Sequence, residues 1–187
     1  AVIEVITMIE PTPDSLGSGL VLEDRLPLRW HVSATPDDSP HQQLSNEETL
    51  RVILSLDEHH VEASDENPEF AHEVQRLETK INLILELVSQ VLARQLQLPE
   101  ALPVRLSAHE IEWETAVAPA TGSSVLLEIY ACPRYPRPLF LPATVKDSSG
   151  GRVRAVFDDL GAPVQDLLEK LIFRHHRRLI AAARRGG

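Results

Sequence analysis

Between Phe70 and Leu98 apolar residues recur in alternating steps of four and three: Phe70, Val74, Leu77, Ile81, Ile84, Val88, Val91 and Leu98, with Gln95 in the single polar slot. A stripe that repeats about every 3.5 residues is what lets one helix wind around another. With Val74, Ile81, Val88 and Gln95 as a positions, the d positions are Phe70, Leu77, Ile84, Val91 and Leu98. At ~1.5 Å per residue the rod is on the order of 40 Å long. A small domain does not need that length to cover its own core. Because the repeat lasts about four heptads, it favours self-assembly over packing against a helix of the same chain.

The stripe also bears on the number of helices. Two-stranded parallel coils prefer β-branched residues at a and Leu at d. Here β-branched residues fill a and also part of d (Ile84, Val91), while Leu85, Leu92 and Leu87 occupy flanking e and g slots where a dimer would carry charge. The stripe is too wide for two helices. The expectation is a homo-oligomer, with a tetramer ahead of a trimer or a dimer of hairpins.

A length of 187 residues suits one domain with an elaboration. Hydrophobic residues make up 43% and aromatics only 4%, so the core has to rely on Leu, Val and Ile. The one cysteine, Cys132, excludes an internal disulfide and a multi-cysteine zinc site, and fits a reducing cytoplasm. No apolar run is long enough for a membrane span, and the opening AVIEVITMIE lacks the basic head of a secretory signal. Residues 1–98 carry 18 acids and 6 bases, residues 99–187 carry 10 and 12, and the whole has a net charge of −10. That balance argues against a nucleic-acid polymer as partner.

In chain order, residues 1–24 read as an arm containing the Pro/Gly/Ser-rich PTPDSLGSG. Gly17 and Gly19 have no following strand–helix unit with a lysine and do not make a phosphate loop. Leu26, Leu28, Trp30 and Val32 alternate as in a strand, and Pro27 restricts that strand to an edge or a start. After the break ATPDDSPHQQ, a helix is expected from about Ser45, which with Glu48 has capping-box spacing. Its apolar face is Leu50, Ile53, Leu54 and Val61. Asn67–Pro68 launches the heptad helix, and Pro99 and Pro103 stop it. Four runs of period two follow: VRLSAHEIEWET, SSVLLEIYAC, PLFLPATV and GRVRAVFDDL, separated by APATG, PRYPR and DSSGG. A final helix turns Val164, Leu167, Leu168, Leu171, Ile172 and Leu179 inward.

Few constellations suggest chemistry. His59–His60 and His175–His176 are adjacent on helices, where neighbours diverge by about 100° and cannot chelate one ion well. Ser107, His109 and Glu110 have triad residue types but lie along one expected strand. Glu110, Glu112 and Glu114 would share a strand face, as a solvated surface or, alternatively, an acidic stripe for a partner. Lys170, Arg174, Arg177, Arg178, Arg184 and Arg185 complement the dipole of the last helix, the alternative being a docking patch for an acidic protein such as the acidic half of a neighbouring subunit. No convergent acid, base and nucleophile is visible, so no enzyme is expected.

From Arg105 to Arg178, the runs LSAHEIEW, TGSSVLLEIY, PLFLPATVKDSSGGRVRAVFDDL and LLEKLIFRHHRRL resemble a PilZ domain. The resemblance implies an α+β fold: a small antiparallel β-barrel with a C-terminal helix, here with two long inserted helices forming a coiled coil. The barrel and its C-terminal helix would use residues 25–33 and 99–187, and the inserted hairpin would span 41–98. Many PilZ domains bind cyclic di-GMP through an R-x-x-x-R pair and an Asp/Asn-x-Ser-x-x-Gly motif. Arg25 and Arg29 have the first spacing, just ahead of the strand RWHV. In the second motif only Ser107 is kept: Arg105 stands at the acceptor position and Glu110 at the glycine, adding bulk and negative charge where an anion should approach. The expectation is therefore a cytoplasmic, non-enzymatic adaptor without a cofactor. It would assemble through its heptad helix and bind a protein partner of unknown identity. The resemblance implies bacterial second-messenger control of motility, type IV pili, biofilm and virulence as its setting. The alternative is a cyclic di-GMP receptor that uses Arg25, Arg29, Ser107 and Arg105.

Overall fold

Six antiparallel strands close on themselves, because the first strand is shared by two partners. The computed structural model describes residues 16, 19–33, 40–56 and 68–185. In chain order the elements are β1 (Leu22–Val32), α1 (Pro40–Leu56), α2 (Pro68–Leu96), β2 (Ala101–Leu106), β3 (Glu110–Glu114), β4 (Ser124–Ile129), β5 (Leu139–Ser149), β6 (Arg152–Phe157) and α3 (Ala162–Arg185). The barrel order is β1-β2-β3-β6-β5-β4, returning to β1. Leu22 to Pro27 pair with β2, then Leu28 to Val32 pair with β4. Pro27, which has no amide hydrogen to donate, sits at the changeover. Its carbonyl accepts from the Tyr130 amide at 3.1 Å.

The strands differ from expectation at several points. VRLSAHEIEWET is two strands rather than one, with Ser107 at the turn between β2 and β3. The Ser107 hydroxyl accepts from the amides of His109 (3.2 Å) and Glu110 (3.0 Å), a side-chain turn that needs neither Gly nor Pro. Arg25 and Arg29 lie within β1, not ahead of it, since β1 begins at Leu22. Pro103 lies in β2, opposite Arg25, and α2 instead ends on Gln97, whose φ of 45° is a left-handed cap. Val32 is exposed, not core.

The core is filled from inward positions of all six strands, including Leu106, Ile111, Leu127, Leu141 and Ala155. Half-buried Trp30 packs against it, meeting Trp113 at 5.9 Å between ring centroids. One side is covered by α1 and α3. Leu50, Ile53 and Leu54 of α1 and Val164, Leu167, Leu168, Leu171 and Ile172 of α3 join the same cluster, whereas Leu179 is exposed. α1 starts at Pro40, five residues before the expected Ser45, with proline in the first turn. Ser45 and Glu48 are not a cap: both face Arg137, whose guanidinium lies 3.3 Å from the Ser45 hydroxyl and 3.1 Å from the Glu48 carboxylate. At its other end α1 is closed by α3, where Arg174 donates to the Leu54 carbonyl at 2.7 Å. The two helices between β1 and β2 thus have different surroundings: the main neighbours of α1 are α3 and β5, not α2. Val61, His59, His60 and Asn67, and most of the N-terminal arm, lie outside the described residues.

Candidate functional site

At 29 residues α2 is about 43 Å long. Its attachment to the barrel is narrow. Ser89 is buried and donates to the Arg134 carbonyl, while the Arg134 guanidinium donates to Asn82 Oδ1 at 2.7 Å. Both contacts fall on one flank of the helix, beside half-buried Leu85. Away from that flank the heptad stripe is open. Ile81 is 62% exposed and Ile84 is 60%, and Phe70, Leu77, Val88, Val91 and Leu92 are exposed as well. Val74 and Leu98 are half-buried. Leu87, the flanking g residue, is exposed as the pattern foretold, and the stripe is broader still because Leu83 and Leu96 are also exposed. Leu83 and Leu96 fall outside the a, d, e and g slots of the heptad. Scattered exposed leucines are ordinary. A run this continuous marks a contact surface.

The residues that the resemblance assigned to a dinucleotide are dispersed. Arg29 lies 3.8 Å from Glu128, and Glu128 also accepts from the Tyr130 hydroxyl at 2.6 Å. Burial, followed by that hydrogen bond, pushes the Tyr130 phenol up to about 12. Arg25 is exposed and donates to the Ala101 carbonyl at 2.6 Å. Arg105 bridges Glu23 at 3.0 Å and Glu112 at 3.3 Å. Burial alone would lower its pKa, but the two carboxylates outweigh that and hold it above the ordinary value. Arg25 and Arg105 share a groove of about 390 Å³ with Arg152 and with Glu23, Asp24, Glu112 and Glu114, so it holds more carboxylates than guanidiniums. Ser107 faces a different cleft, of about 580 Å³, between the β2–β3 turn and α3. Lys170, Asp166, Glu169 and Phe173 line that cleft, and none of the three arginines does.

The expected acidic stripe is correspondingly not a free one. Glu112 is buried between Arg105 and Arg152 (3.5 Å), and Glu110 lies 3.8 Å from Arg154. These cross-strand pairs neutralise most of that face. Ser107, His109 and Glu110 form a turn whose serine hydroxyl is spent on backbone amides. His109 contacts Gln165 of α3 instead of the hydroxyl. Among the described residues no helix is long and apolar enough to cross a membrane.

Comparison with known proteins agrees with this architecture. A family model described as "Atypical PilZ domain, cyclic di-GMP receptor" matches residues 50–185. A solved structure of a pathogenic protein from Xanthomonas campestris, described as a new tetrameric PilZ domain self-assembled via an unusual helical bundle, is similar at 31% identity with a TM-score of 0.68. The match covers 89% of this chain and 93% of that one. Curated proteins give no match. With most of its length inside the family model, and a relative at 31% identity matched over 89% of the chain, the chain belongs to the atypical PilZ domain family.

Proposed function

We propose that this protein is a non-enzymatic PilZ adaptor that gathers four copies through α2 and presents their barrels to a protein partner, without binding cyclic di-GMP. The observation that carries this reading is the open apolar stripe, with Ile81 and Ile84 at its centre. Leaving that much apolar surface in water is unfavourable by ~25 cal/mol for each Å², and copies of the same helix remove it. The tetrameric assembly described for the Xanthomonas campestris relative supports the same stoichiometry. The setting is the one the resemblance implies: cytoplasmic second-messenger control of motility, pili and virulence. Sedimentation equilibrium at micromolar concentration tests the assembly. The expected mass is four times the 20.8 kDa protomer, and the protomer mass itself would end the proposal.

A receptor for cyclic di-GMP is the second reading, favoured by the description of the matching family. It requires arginines that fork to phosphate and stack on guanine. Arg29 and Arg105 already face carboxylates, and Glu110 occupies the position of the motif's glycine. Isothermal titration separates the two readings: no binding heat is expected, and micromolar or tighter affinity would decide for the receptor.

A further inference from the structure

The open surface of α2 is lopsided about its own seam. Glu73, Lys80, Leu87 and Arg94 flank the seam on one side (g), and Glu78, Leu85 and Leu92 on the other (e). The chain's own barrel lies toward the e side, where Ser89 and Asn82 are tied to Arg134 and Leu85 is half-buried. The g side is open along its length, with Leu87 at 54% exposure and Leu83, one row further out, at 58%, whereas the e side opens only beyond the barrel contact, at Leu92 and Leu96.

This asymmetry bears on direction. In a parallel bundle each interface sets the g side of one helix against the e side of the next, and here the e side carries the barrel. Two copies that bury g against g are related by a two-fold axis across the helices, which makes them antiparallel. Charge then selects the register. If the axis passes between Asn82 and Leu83, Ile81 meets Ile84 of the second copy, Val74 meets its Val91, and Glu73 faces its Arg94. A slip of one heptad either way would oppose Lys80 to Arg94 or Lys80 to itself. A parallel, in-register pair would oppose Glu73 to Glu78. Glu73 already contacts Arg76 at 3.1 Å, with both side chains exposed, and a carboxylate has room for a second cation.

Building on the self-assembly proposed above, we infer that α2 helices of neighbouring copies pair antiparallel through their g sides, with reciprocal Glu73–Arg94 ion pairs setting the register. Two such pairs close the tetramer. The test is sedimentation equilibrium at low salt on wild type, Glu73→Arg, Arg94→Glu and the double variant. Each single reversal is expected to weaken association at least about tenfold, as like charges then face each other twice per pair. The double variant is expected to return to within about threefold of wild type, which also excludes misfolding as the cause of the single effects. Parallel packing gives the opposite sign, because Glu73→Arg would remove a Glu73–Glu78 clash and strengthen association. That result, or a double variant no better than the singles, overturns the antiparallel pairing and leaves the tetramer standing. A wild type that sediments as a monomer removes both.

Discussion

The carboxamide of Asn46 grips both backbone groups of Phe140, its Nδ2 donating to the carbonyl at 2.7 Å and its Oδ1 accepting from the amide at 2.8 Å. Phe140 lies near the start of β5, and β6 joins β5 only from Ala143 onward. A side chain of α1 thus completes the pairing where the neighbouring strand has not yet arrived. Asn46→Ala leaves a backbone donor and acceptor unmet in a buried place and is expected to cost about 1–3 kcal/mol. Urea denaturation measures it, and a loss below about 0.5 kcal/mol would mean that water replaces the carboxamide.

Replacing Ile81 and Ile84 together by Asp is expected to release monomers. Each side chain is exposed in the protomer, so the barrel should tolerate the change, but buried unpaired carboxylates cannot be accommodated in a seam. Light scattering coupled to size exclusion should give the protomer mass with unchanged far-ultraviolet circular dichroism. An unchanged oligomer would show that these residues are not at the contact.

Gly161 precedes α3 with φ of 76°, and a Cβ there would approach Gln43 Oε1 to 3.3 Å. Gly161→Ala therefore combines a disfavoured backbone conformation with a tight contact to α1. The expected loss is about 1 kcal/mol or more in thermal or urea unfolding. A neutral result would require the backbone at the start of α3 to shift without cost.

Tyr130 gives a prediction in pH. Its phenol is held up to about 12 in the folded protein, by burial first and then by Glu128, against about 10 when unfolded. The folded state therefore keeps a proton that the unfolded state loses. The stabilisation is complete below about pH 10 and disappears as the pH rises from there to about 12. Ultraviolet titration of wild type, with Tyr130→Phe subtracted, should show one phenol ionising near the top of that window. A difference curve centred near pH 10 would contradict the buried Glu128 contact.

The heptad stripe was legible in the sequence because period is a property of spacing alone, and the exposures at Ile81, Ile84 and Val88 agree with it. Spacing does not say which flank a neighbouring barrel covers. The lopsided surface, with Leu83 open and Ser89 buried, became visible only with the fold. Strand boundaries failed where a side chain replaced the usual turn residues: Ser107 makes a turn that no Gly or Pro announces. The start of α1 was missed because PHQQ has no apolar period, although proline suits a first helical turn. The arginine pair had the right spacing, yet spacing carries no information on partners. Glu128 and the Ala101 carbonyl, far away in sequence, decide what Arg29 and Arg25 face.

Among the described residues the hydrophobic core takes no side chain from α2. The open face of that helix and the interior of the barrel are consequently separate packing problems, joined through Arg134. In the proposed assembly, substitutions along the rod alter stoichiometry, or abolish it, while the domain goes on folding as before.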